Sequence, residues 1–98
     1  MPSDMTLRRE MGLTYADFFR SLSQLPCGWV HKIYSDGATL QYADGTIQIS
    51  LGPQCERCLT ALVNIPFVEV TFRYAGLSEA ERGCFQSRFD LTFQRGGG

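Results

Sequence analysis

The chain is poor in the residues that usually advertise chemistry. Its 98 residues include one histidine, His31, and one tryptophan, Trp29. Any imidazole chemistry must therefore use His31. No apolar run approaches the ~20 residues that a membrane-spanning helix needs, and the opening stretch MPSDMTLRREMGL lacks the apolar segment of a signal peptide. Charge of one sign is also lacking. Nine Lys plus Arg stand against ten Asp plus Glu, a net charge of −1, whereas nucleic-acid binders carry a basic surplus or a basic face. The sequence has no Gly-rich phosphate loop, no paired-carboxylate motif, and no zincin or nucleophile-elbow pattern. These absences predict a cytoplasmic protein that binds neither nucleic acid nor membrane, with no catalytic residues and no cofactor assigned. In that compartment the four cysteines are expected as thiols, ligands or catalytic groups rather than as disulfides.

What the chain does have is a globular composition, 44% hydrophobic and 19% charged, and a length that makes one domain. Residues 1–12 are polar and without period, and read as a flexible leader. Residues 13–95 read as a single α+β domain and 96–98 as a flexible glycine tail. Thr14 with Asp17 forms a capping box, Leu13 and Phe18 suit a hydrophobic staple, and Tyr15, Phe18, Phe19, Leu22 and Leu25 follow at helical spacing up to Pro26.

The stretch GWVHKIYSDGATLQYADGTIQISLG alternates around Asp36-Gly37 and Asp44-Gly45. Asp-Gly at the centre of two-residue hairpins predicts pairing of Ile33 with Leu40, His31 with Tyr42, Leu40 with Ile49 and Ala38 with Leu51. One face then carries Trp29, His31, Ile33, Ala38, Leu40, Tyr42, Ile47, Ile49 and Leu51, and the other is mostly polar. CLTALVNI leans towards a strand interrupted by Pro66, and FVEVTFRY alternates as a further strand. Ser78 with Glu81 forms a second capping box, ahead of a helix that places Cys84, Phe85 and Phe89 on one side and Phe93 on the same row. RFDLTFQ also alternates as a strand would. The expected fold is a two-layer α+β sandwich. An antiparallel sheet of four or five strands, a meander with two Asp-Gly hairpins, carries an N-terminal and a C-terminal helix on one face.

Four groups of residues are candidates for function. Cys55 and Cys58 have the spacing of half a zinc site, for which Cys27, Cys84 or His31 are the remaining ligand candidates. The same pair suits a redox couple, although a thioredoxin-like motif opens a helix in a βαβ setting. Two unremarkable cysteines at a loop-to-strand boundary is the simpler account. His31, opposite Tyr42, has the chemistry of an acid–base pair or of a buried histidine that merely finds a hydrogen-bond partner. Strand aromatics stack single-stranded bases only on an open basic face, and here only Tyr34, Lys32 and Arg73 are candidates for the open side. The tail RGGG resembles the exposed Gly-Gly terminus of ubiquitin-like modifiers and sulfur carriers. That resemblance covers three or four residues and implies a carrier role for Gly98, whose carboxylate an enzyme would adenylate. The family's β-grasp fold begins with a hairpin and ends on a strand, whereas helices are expected at both ends of this chain.

The leading expectation is a small non-catalytic module that binds an unidentified protein partner. Its surfaces are the open sheet face around Lys32, Tyr34 and Gln41, and an edge strand that also offers a route to homo-oligomers. A thiol-based metal or redox protein and a glycine-tail carrier are the alternatives.

Overall fold

The computed structural model describes residues 5–26, 28–58 and 64–96. Its elements are β1 (Met5–Met11), α1 (Tyr15–Leu22), β2 (Val30–Tyr34), β3 (Gly37–Tyr42), β4 (Gly45–Leu51), β5 (Cys55–Cys58), β6 (Asn64–Ala75) and α2 (Glu79–Gly96). The sheet runs β1-β6-β4-β3-β2, every pairing antiparallel, and β5 adds to β6 off that path. Both helices pack on one face, so the molecule is a two-layer α+β sandwich.

Both helices start where their local sequence says. The Thr14 side chain accepts from the Asp17 N–H, and the Asp17 carboxylate accepts from the Thr14 N–H. These hydrogen bonds, the backbone one foremost, hold the Asp17 carboxyl below its ordinary value. Ser78 and Glu81 exchange the same two bonds at the head of α2. The helix α1 stops at Leu22, four residues before Pro26. Residues 88–94, which also alternate as a strand would, belong to α2. Phe85, Phe89 and Phe93 lie one turn apart on its buried side. Phe93 meets Phe18 of α1 with ring centroids 5.3 Å apart, and Phe89 meets Phe72 of β6 at 4.9 Å. Beneath them lie Ala38, Leu40, Ile47, Ile49, Val68, Val70 and Phe72, all buried. A buried side chain of this size contributes roughly 1.5–3 kcal/mol through apolar burial.

Five expectations are corrected. Residues 5–11, read as a leader, form β1, which pairs along its whole length with β6. Both hairpins turn one residue earlier than Asp-Gly implies. Tyr34 pairs with Gly37 and Tyr42 with Gly45, so the loops are Ser35-Asp36 and Ala43-Asp44. Leu40 accordingly faces Ile47, not Ile49. The shift between β3 and β4 is by two residues, so inward and outward faces are preserved. The cause is close packing. A Cβ on Gly37 would lie 2.1 Å from the Ile49 carbonyl oxygen, and one on Gly45 would lie 2.5 Å from that of Ala75. Glycine is needed at these places as the first strand residue, not as a turn residue, and Ala43 takes the positive φ, 52°.

The third correction concerns His31. The β2–β3 register shifts between Val30 and Lys32, which makes His31 the extra residue of a bulge. Val30 thereby joins Leu40 on the core side, and His31 is exposed and is not the cross-strand partner of Tyr42. The fourth is Cys84, which is exposed on α2, not aligned with Phe85 and Phe89. Last, Pro66 does not interrupt a strand but lies within β6 opposite Glu56. β1 ends opposite Val68, so among the described residues Pro66 has a strand on one side only, where its missing N–H is tolerated.

The uncovered face of the sheet as candidate functional site

The helices cover one side of the sheet, and among the described residues no element covers the other. Its register can be read across all five strands. Lys32 is opposite Thr39, Thr39 opposite Gln48, Gln48 opposite Arg73, and Arg73 opposite Thr6. The neighbouring row runs from Tyr34 through Gly37, Ser50 and Thr71 to Arg8. Gln41 sits opposite Thr46, and Glu10 opposite Glu69. Apart from Gly37, no residue of these rows is buried. Three cations, Lys32, Arg73 and Arg8, are spread over the face, while the two carboxylates share one corner.

Lys32, Tyr34 and Gln41 lie on this one face. Lys32 and Tyr34 are two apart on β2, and the Lys32 ammonium sits 5.5 Å from the Tyr34 ring centroid, within cation–π range. The Thr39 hydroxyl lies 3.3 Å from the Tyr34 hydroxyl in a hydrogen bond. The tyrosine is 40% exposed yet held from two sides. Gln41 is the diagonal neighbour of Lys32 across β3, a separation of roughly 7–8 Å. A concavity of about 290 Å³ opens near the other end of the face, with Thr6, Thr46, Gln48 and Arg73 in its lining.

Cys55 and Cys58 share β5, whereas His31 and Cys84 lie on other elements. Cys55 and Cys58 occupy the two ends of β5, whose backbone is extended. The exposed Cys55 thiol donates to the Pro53 carbonyl at 3.5 Å. His31 stands on the β2 bulge and Cys84 on α2. Cys27 and Gly98 lie outside the described residues. Among the described residues no group of three or more His, Cys, Asp or Glu is placed to hold a metal. The chain enters its glycine tail from a helix, and no described helix is long and apolar enough to cross a membrane.

One polar cluster has no counterpart in the sequence reading. Arg9 of β1 donates to Asp90 and, at 3.1 Å, to the Gln86 carbonyl of α2, and the Gln86 amide donates to the Tyr74 hydroxyl of β6. Burial, reinforced by the Asp90 charge, raises the Tyr74 hydroxyl above its ordinary value of 10.0, against smaller lowering effects of the Gln86 bond and the Arg9 charge. The cluster ties β1 to the helix layer. Its only sequence trace is an Arg-Arg pair, which a solvated tail would show equally well. No protein-family model, curated protein or solved structure matches this chain.

Proposed function

We propose that this chain is a non-catalytic cytoplasmic module that binds a protein partner through the uncovered face of its sheet. The supporting observation is the Tyr34 environment. An exposed aromatic ring is pinned by Lys32 and Thr39 on rigid strands, which limits the side-chain entropy lost on docking. Tyrosine is among the residues that dominate binding energy at interfaces. The spread of Lys32, Arg73 and Arg8 against a single acidic corner suits a partner whose contact surface is largely acidic.

The test is affinity capture from the native host with wild-type protein and with the double variant Tyr34→Ala, Gln41→Ala. The reading expects capture of the principal partner to weaken by roughly tenfold or more, the scale of a truncated interface anchor. A partner set unchanged by the double substitution would overturn it.

A further inference from the structure

We propose that β1 is a dimerisation edge, with two copies of the chain joining their β1 strands antiparallel about a twofold axis at Arg9. The outer side of β1 has no strand beside it among the described residues. It is seven residues long, without proline, glycine or bulge, and its backbone is held regular by seven consecutive pairs with β6. A regular, unprotected edge is a template for another strand. The opposite edge, β2, is shorter and bulged, which blunts it.

The side chains select both the occupant and the register. In an antiparallel twofold pair, one residue must face its own copy. An axis at Arg8 places Arg8 against Arg8, and an axis at Glu10 places Glu10 against Glu10; like charges directly opposite are unfavourable. An axis at Leu7 brings Thr6 to Arg8 and Met5 to Arg9, with no opposite-charge pair. An axis at Arg9 brings Arg8 of each copy opposite Glu10 of the other, and Leu7 opposite Met11, twice over. Thr6, Arg8 and Glu10 are exposed on the open face, whereas Leu7 and Met11 are partly buried against the core on the helix side.

Two further facts fit that register. Glu10 lies directly opposite Glu69 within the chain, and the arriving Arg8 would flank that acidic corner on its other side. The two Arg9 guanidiniums that meet at the axis are each already paired with Asp90 of their own chain, so they come together neutralised. The dimer would extend the five-strand path of the sheet into one of ten, with the two uncovered faces continuous. That last consequence rests on the proposed binding role; the pairing itself does not.

Sedimentation equilibrium of the full chain tests the pairing, using wild type, Arg8→Glu, Glu10→Arg and an equimolar mixture of the two variants. Wild type should be a dimer. Each variant alone should dissociate roughly tenfold or more weakly associated, because like charges then face each other at two symmetric places. The mixture should regain wild-type affinity, since each substituted position of one variant faces the unlike charge of the other. A monomeric wild type, variants that dimerise as wild type does, or a mixture that fails to associate would each overturn the proposal. Both positions are exposed, and circular dichroism checks that the variants fold. Should either unfold, hydrogen exchange of wild type decides: β1 protection that rises with protein concentration supports the pairing, and its absence refutes it. Loss of the captured partner in the Tyr34, Gln41 double variant with dimerisation intact would separate this result from the binding role.

Discussion

The two edges of the sheet are built by opposite means. β2 is carried by the hairpin that follows it, with four pairs to β3 and a bulge at His31, and its Ile33 remains 58% exposed. β1 has no hairpin at all. Its partner, β6, lies more than fifty residues along the chain, yet it makes seven uninterrupted pairs and is fastened to α2 through Arg9. A bulge disrupts the ladder and twists the strand away from further pairing, whereas a straight strand fixed at its back keeps its outer backbone groups in line. The edge formed by local sequence is thus the blunted one, and the edge formed by long-range docking is the regular one with no described strand beside it.

That contrast can be broken from several directions, beginning with the core the two edges share. Phe89→Ala empties a site packed by Phe72, Phe85 and Phe93. It should cost about 3–5 kcal/mol in denaturant unfolding, with both edges losing exchange protection together. Gly37→Ala should act on the β2 side. The new methyl would meet the Ile49 backbone carbonyl, a neighbour that cannot rotate aside, and a loss of about 1–3 kcal/mol is expected. Exchange should accelerate in β2 and β3 before β1, and uniform acceleration would show that the two edges are not separable. Arg9→Ala should act on the β1 side alone. Arg9 and Asp90 are partly exposed, their side chains 36% and 45% accessible, so the loss should be on the order of 1 kcal/mol or less, read as faster exchange in β1 with β2 unchanged.

The smallest effect is one of pH. The Tyr74 hydroxyl titrates above its ordinary value in the folded protein, chiefly through burial. A folded value above the unfolded one contributes stability that is fully present below the unfolded value, 10.0, and is lost as pH rises through the folded value. Tyr74 is opposite Met5 of β1 and accepts from Gln86, so alkaline loosening should start on the β1 side. Stability curves of wild type and Tyr74→Phe that stay parallel above pH 10 would contradict this.

Much of the fold was legible because its signals are local. A capping box closes within four residues, so Thr14 with Asp17 and Ser78 with Glu81 mark their helices whatever surrounds them. The alternation of Val68, Val70, Phe72 and Tyr74 holds because that side of the strand is buried from Val68 to Tyr74. The candidate face was legible in part for the same reason: Lys32, Tyr34 and Gln41 keep their side of the sheet even though the turn moved, since the β3–β4 shift was even and the bulge fell before Lys32. What failed depended on distant atoms. Asp-Gly looks the same whether glycine serves the turn or makes room for a neighbouring carbonyl, and only the approach of β4 and β6 distinguishes them.

The sequence by itself determined two capped helices and a meander with one apolar face, because each of these follows from residues within a few positions of one another. Tertiary structure alone decided that residues 5–11 are a strand. MTLRREM buries too little to hold an extended conformation by itself, and its ladder, its Asp90 partner and its apolar backing all come from β6 and α2 at the far end of the chain. It also decided which strands end the described sheet, because strand order is set by long-range pairing and no local pattern of residues records that.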